Sequence, residues 1–257
     1  MIILPGKPLL LHADSCQRWL SFEPPEFRAK NHDGVCVISV HGVLTKRAAA
    51  LDGVLGATSY ESISSEFSQA LNSDAHTIIF DIDSPGGETA GLFDLCDRIY
   101  TNRGSKNLWA VANDDCFSAA YAIASSCDKV FLNRTSGVGS IGVIAHHVDQ
   151  SKYDEQQGVK YKTIFAGQRK NDGNPHEPLT EDSTQSLKNE VNRLYEMFLS
   201  LVSRNRQMPV EKVRSTEAAL FYGDDAITSN LADKIMTLTQ VIKLAKENSM
   251  DNLNTDP

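Results

Sequence analysis

The chain has 257 residues, 41% of them apolar and 23% charged, and a formal net charge of −8. That is globular composition, sufficient for one large domain or two small ones. The acidic balance argues against a general nucleic-acid-binding role, which needs clustered lysine and arginine, and no apolar run is long enough to predict a membrane-spanning helix. The cysteines (Cys16, Cys36, Cys96, Cys116, Cys127) are odd in number and scattered, so reduced thiols are expected rather than a disulfide framework. No C-x-x-C pair or histidine spacing suggests a metal, and no cofactor is implied. The opening "MIILPGKPLLLHADSC" lacks a basic flank and a small-residue cleavage site, so it reads as mature protein.

In chain order, residues 1 to about 33 read as irregular, with Pro24-Pro25 as a break. "GVCVISVHGVL" (Gly34 to Leu44) is rich in β-branched residues and predicts a buried strand. A loop follows, then a helix over Ser62 to Asn72, where Ile63, Phe67, Ala70 and Leu71 recur at helical spacing. "TIIFDID" predicts a strand that runs into "SPGGETAG" and a helix from about Glu88 to Thr101. "NLWAVAND" predicts a third strand, and Ala119 to Ser126 a helix. "DKVFLN", "SIGVIAHHV" and "YKTIFAG" all read as strands. Ser183 to Arg206 is a long amphipathic helix, followed by short helices at Val210 to Arg214 and Ala226 to Leu231 and a polar, frayed tail. Strands that alternate with helices predict an α/β fold with a largely parallel sheet.

Two stretches carry candidate chemistry. In "DIDSPGGETAG" a strand meets Pro85 and then Gly86 and Gly87 before a helix. Glycines let backbone N–H groups approach a ligand, and a helix start favours negative charge, so the turn could hold an anion or an oxyanion. It could equally be an ordinary strand-to-helix turn. In "NDDCFSAAYAIAS", Ser118 opens a helix after a strand. It reads either as an N-cap or as a nucleophile whose following amide, from Ala119, would face an oxyanion. Cys116 is a rival nucleophile or a packing residue. A serine nucleophile needs a base, and the hydrolase elbow G-x-S-x-G is absent. The candidates are His41, His146, His147 and several lysines, among them Lys170 in "IFAGQRKNDGNP". A lysine serves only where burial brings its pKa down towards neutrality; otherwise Lys170 is a solvated loop charge.

Taken together, "DSPGG", "ANDDCFSAAYAIAS", "TSGVGSIGV", "FAGQRKNDGNP" and "FYGDDAITSNLADKI" follow one another as in the S49 family. These are the signal-peptide-peptidase-A-like serine peptidases. The sequence resembles most their phage head-maturation branch, from Gly34 to Ile235. The resemblance implies a Clp/crotonase-like α/β fold: a mostly parallel sheet of repeated ββα units with a helical C-terminal extension. On that pattern residues 34–245 form the peptidase domain, 1–33 an N-terminal segment and 246–257 a polar tail. The implied mechanism is a Ser/Lys dyad without histidine, Ser118 as nucleophile and Lys170 as general base. Ser140 in "GSIG" would orient the lysine, and Gly87, with Gly86 as the alternative, would complete the oxyanion hole with the Ala119 amide. Where many bacterial members have Ser-Gly-Gly, this chain has Ser118-Ala119-Ala120.

The resemblance further implies a homo-oligomeric ring, in which some members complete the dyad with a neighbour's lysine. It implies polypeptide substrates of the capsid, portal or scaffold kind; the acidic balance argues for no nucleic-acid partner, and the expected lack of the membrane anchor that bacterial members carry favours the phage branch. The expected location is a phage procapsid in the cytoplasm of a bacterial host. The alternatives are a cytosolic peptide-degrading member of the same family, and a non-proteolytic crotonase-fold or shell protein.

Overall fold

The computed structural model describes residues 9–11, 30–47 and 56–253. Two short strands, β1 (Leu9–Leu11) and β2 (Lys30–His32), lie within the first 33 residues, so part of that segment is regular where the sequence predicts none. The strand predicted over 34–44 is two strands, β3 (Val35–His41) and β4 (Val43–Thr45). Gly42 breaks it: its φ is 70°, and a Cβ there would lie 1.6 Å from the Gly56 carbonyl oxygen. The chain continues as β5 (Ala57–Ser59), α1 (Tyr60–Leu71), β6 (Thr77–Ser84), β7 (Gly86–Glu88), α2 (Leu92–Thr101), β8 (Asn107–Phe117), α3 (Ala119–Ser125) and β9 (Lys129–Leu132). Then come β10 (Gly137–Gly139), α4 (Ser151–Gln156), α5 (Glu181–Arg206), α6 (Val210–Arg214), β11 (Leu220–Tyr222), α7 (Gly223–Thr228), β12 (Lys234–Ile235) and α8 (Leu238–Leu253). The helix of residues 238–253 runs into the stretch predicted to fray. "YKTIFAG" forms no strand among the described residues, and of "SIGVIAHHV" the strand has already ended at Gly139.

Among the described residues the strands form two sheets. The larger runs β11-β10-β8-β6-β3-β2, with β9 beside β8 and β12 beside β9. Its centre is parallel: β3 with β6, β6 with β8, and β8 with both β9 and β10; β2 and β11 pair antiparallel at its margins. The smaller sheet, β1-β7-β4-β5, is made largely from the loops that follow β3 and β6.

Side chains alternate across a strand, and here each face of the large sheet has its own core. Ile78, Phe80, Ile82, Leu108, Ala110 and Ala112 join α1, α2, α3 and α5 on one side. Val35, Val37, Ile79, Trp109, Val111 and Phe131 meet Val241 and Ala245 of α8 on the other. Sheets buried on both faces read as continuous apolar runs, which is why β6 is legible as "TIIFDID". Every residue of α3 is buried. Four of its seven positions are alanine, which lets the helix lie close against β7 and β8.

The C-terminal end of α3 is held by side chains from two neighbours. The Arg103 guanidinium donates to the carbonyls of Ser125, Ser126 and Cys127. Asn205 Nδ2 donates to Ser125 Oγ at 3.1 Å and Ser126 Oγ at 2.9 Å. A cation at a helix C-terminus satisfies orphan carbonyls and complements the helix dipole. The helix that starts at Ser118 is thus fixed at its far end too.

Candidate active site

Ser118 stands between the end of β8 and the start of α3, with φ 55° and ψ −117°. That backbone region is costly for a residue with a Cβ, by roughly 1–3 kcal/mol. It persists because both backbone groups are committed. The Ser118 N–H donates to the Gly139 carbonyl at 2.8 Å, and its carbonyl accepts the Ala122 N–H at 3.0 Å. The hydroxyl makes no capping hydrogen bond. It donates one long hydrogen bond, to the Gly142 carbonyl at the outer limit of 3.5 Å. A sharp, strained strand-to-helix turn that frees a serine hydroxyl is the geometry of a nucleophile elbow, reached here without the G-x-S-x-G sequence.

β10 runs parallel beside Asp115, Cys116 and Phe117 and brings Ser140 to the elbow. Ser140 also has positive φ, 52°, directly after Gly139 at 114°. Its N–H is fixed by the Ala219 carbonyl at 3.0 Å and its carbonyl by the Gly142 N–H at 2.9 Å. The Ser140 hydroxyl has no hydrogen-bond partner among the described residues.

The SPGG turn arrives from the neighbouring strand, with Ser84 opposite Cys116 in register. Gly86 has φ 103°. A Cβ on Gly87 would lie 1.9 Å from the Leu44 carbonyl oxygen, so the two glycines are required for different reasons. Ser84, which sequence reasoning did not single out, holds this turn. Its Oγ donates to the Gly42 carbonyl at 2.6 Å and accepts the Gly86 N–H at 3.1 Å. The signal was its place as first residue of a Ser-Pro-Gly-Gly turn, where a serine commonly bonds the backbone two residues on. With the Gly86 N–H taken, Gly87 is the glycine left to consider for an oxyanion.

Lys170 makes no hydrogen bond with Ser118 or Ser140. It sits on an exposed turn, and its ammonium makes no hydrogen bond or ion pair with any described residue. Around it, Tyr161, Ile164 and Phe165 are exposed, Ile164 by 89%.

The rival groups fall away from Ser118. Cys116 is fully buried, and desolvation drives its thiol far above the ordinary range, which leaves a packing residue and not a nucleophile. His41 Nε2 lies 3.3 Å from Asp81 Oδ2. Asp81 and Asp83 alternate with Ile82 and share the α8 side with Ile79, so this pair lies on the opposite face of the sheet from α3. His146 and His147 border clefts against α5, not the elbow.

The carboxyl edge also holds an acidic group. Asp83 is pushed up to about 6, first by burial and then by Asp114, although its Oδ1 accepts the Asp115 N–H at 3.2 Å.

Residues 101 to 251 match the family model of peptidase family S49, and the chain belongs to that family. It is 36% identical over 213 residues to the head-tail preconnector protein GP5 of Enterobacteria phage P21, covering 82% of this chain and 42% of that protein. It is 35% identical over 216 residues to capsid assembly protease C of Escherichia phage lambda, covering 84% of this chain and 49% of that protein. The chloroplastic serine protease SPPA of Arabidopsis thaliana is 26% identical over 68% of this chain and 26% of its own length. The chain spans less than half the length of the two phage relatives. Its α/β architecture, with a mostly parallel sheet and C-terminal helices, is of the Clp/crotonase-like type that the sequence implies.

Two outcomes test this geometry. Ser118→Gly removes the Cβ that makes the turn costly, so it should raise stability by about 1 kcal/mol, whereas Ser118→Ala, which keeps the Cβ, should leave it unchanged; urea unfolding midpoints separate the two. Asp83 holds its proton more tightly folded than unfolded. The folded state is therefore favoured at acid pH, and that contribution is lost as pH rises from about 4 through about 6. Asp83→Asn should match wild type at pH 4 and exceed it by about 1 kcal/mol at pH 8, after discounting for solvent screening. An equal shift at both pH values would contradict the assignment.

Proposed function

We propose that the chain is a serine endopeptidase that uses Ser118 as nucleophile and Lys170, supplied by a neighbouring copy in a homo-oligomeric ring, as general base. The observation that carries this reading is the Ser118 elbow. Its backbone strain, and a hydroxyl that makes no capping bond, have no structural purpose as a helix cap. The exposed turn of Lys170, flanked by exposed Tyr161, Ile164 and Phe165, supports the division between copies. A lysine becomes a base near neutral pH only when burial strips water from its ammonium; a second chain closing over the turn would supply that burial.

In the proposed reaction the Ser118 hydroxyl attacks the scissile carbonyl carbon as its proton passes to the neutral amine of Lys170. The C–O bond forms and the carbonyl oxygen takes the negative charge, held by the N–H groups of Ala119 and Gly87. Collapse breaks the C–N bond, and the lysine returns the proton to the leaving amine. Water then hydrolyses the ester by the same route. Ser140, whose hydroxyl is unpartnered beside the elbow, orients the incoming lysine. Each oxyanion donor lowers the barrier by about 3 kcal/mol in such sites.

By likeness to the phage relatives, the substrates are capsid-assembly proteins (capsid, portal, scaffold or the chain itself), processed inside a procapsid in the host cytoplasm. Among the described residues no helix is long and apolar enough to cross a membrane. Mass spectrometry of the purified chain beside its Ser118→Ala and Lys170→Arg forms, each incubated with capsid-assembly proteins and with free peptides, tests this. Cleavage of the assembly proteins by wild type, lost in both variants, is expected, since arginine stays protonated. Cleavage by Lys170→Arg at the wild-type rate would overturn the dyad. Cleavage of free peptides alone would favour a peptide-degrading role.

A further inference from the structure

The segment that carries Lys170 has no regular structure of its own. It is a run of turns: Lys170 N–H to the Gly167 carbonyl at 2.9 Å, Asp172 N–H to the Arg169 carbonyl at 3.2 Å, and Asn174 N–H to the Asn171 carbonyl at 3.2 Å. Local bonds of this kind shape a loop without fixing its place on the protein. Beyond it, residues 175–176 are held at α4, by the Gln150 N–H on the Pro175 carbonyl at 2.8 Å and by His176 Nδ1 2.7 Å from Asp154 Oδ2; next to Lys170 itself, the anchors are side-chain bonds to the first turns of α5. Asp172 Oδ1 accepts from Ser183 Oγ at 2.8 Å, and its Oδ2 accepts from Arg169 Nε at 3.0 Å. Arg169 Nη2 in turn donates to the Asp182 carbonyl at 3.0 Å and to Ser186 Oγ. Ser183 is buried, and its own N–H is capped by Thr180 Oγ1 at 3.1 Å. α5 is a firm post: its later half buries Leu194, Phe198, Leu199, Leu201 and Val202 in the core.

Lys170 therefore lies between two residues that are both anchored to the same helix end, one on each side of it in the chain. An exposed ion pair alone would contribute little. This carboxylate differs because one oxygen is committed to a buried hydroxyl while the other holds the guanidinium. Asp172 thus ties its own flank of the lysine to the buried Ser183 and braces Arg169, which also bonds α5 directly.

We propose that Asp172 is a positioning residue for Lys170. It sets the place of the lysine relative to the domain that must present it, without touching a reacting atom. This rests on the reading of Lys170 as the base. Misplacing a catalytic group by about 1 Å costs on the order of 100-fold in rate. Loss of Asp172 should therefore appear in kcat, with KM little changed.

The test uses the assembled full chain with a fluorogenic peptide that the wild type cleaves. An activated p-nitrophenyl ester serves alongside it, so that slow variants stay measurable. Asp172→Ala should lower kcat about 10- to 100-fold with KM within about twofold. Asp172→Asn, which keeps an acceptor for Ser183 Oγ, should recover part of the loss. In a Lys170→Ala background, adding Asp172→Ala should reduce the residual ester rate no further, because there is no lysine left to position. Wild-type kcat in Asp172→Ala, a loss carried by KM, or a further drop in the Lys170→Ala background would each overturn the proposal. If Asp172→Ala does not fold, Ser183→Ala reads out the same anchor with one bond removed, and an unchanged kcat there would count against it. Full activity in Lys170→Ala would remove the dyad reading itself. An inactive Lys170→Ala beside a wild-type-like Asp172→Ala would reject only the role of Asp172.

Discussion

The hydrogen bond from the Ser118 N–H to the Gly139 carbonyl, 2.8 Å long, joins the end of β8 to the end of β10 at the point where the chain turns into α3. With the Ser118 carbonyl already accepting from Ala122, this bond leaves the residue no unstrained alternative. Its hydroxyl is turned away from the capping position that a serine at a helix start would ordinarily take. The rest of the architecture serves that turn. The parallel pairing of β10 with β8 supplies the acceptor. The alanine-rich α3 lies close enough to the sheet to fix the direction of its first amide. Arg103 and Asn205 hold the far end of the helix.

The SPGG turn is built on the same logic of close approach. Gly87 meets the Leu44 backbone at a distance no side chain would allow. Ser84 ties the turn to Gly42, where β3 breaks into β4. The second, smaller sheet is thus the wall that carries one candidate oxyanion donor, while α3 carries the other. Backbone amides placed in this way need no reorganisation when charge develops, which is what makes such sites effective.

Much of this was legible in the sequence. β6 and β8 were readable because both faces of the sheet are buried and their apolar runs are continuous. Ser118 was legible as a helix start, and the SPGG motif as a turn that needs glycine. Three things were not. The strain at Ser118 and Ser140 depends on the bonds to Gly139 and Ala219, which come from distant segments, and no local pattern encodes them. The break at Gly42 depends on the approach of Gly56. "YKTIFAG" has the composition of a strand, but among the described residues no strand pairs with it and its side chains face solvent. Propensity reported that it suits a pleated, half-buried surface; among the described residues no sheet packs over it.

The proposed division of the site between copies is the centre of the account, and mixing tests it most directly. Ser118→Ala chains, which keep the lysine, and Lys170→Ala chains, which keep the serine, are each inactive in this account. Co-assembled in equal amounts, they should regain about a quarter of wild-type peptidase activity, because random mixing around a head-to-tail ring places an intact serine beside an intact neighbour's lysine at that frequency. If mixed assemblies stay as inactive as either parent while the two chains demonstrably co-assemble, the serine and the lysine belong to one chain and the shared site is wrong.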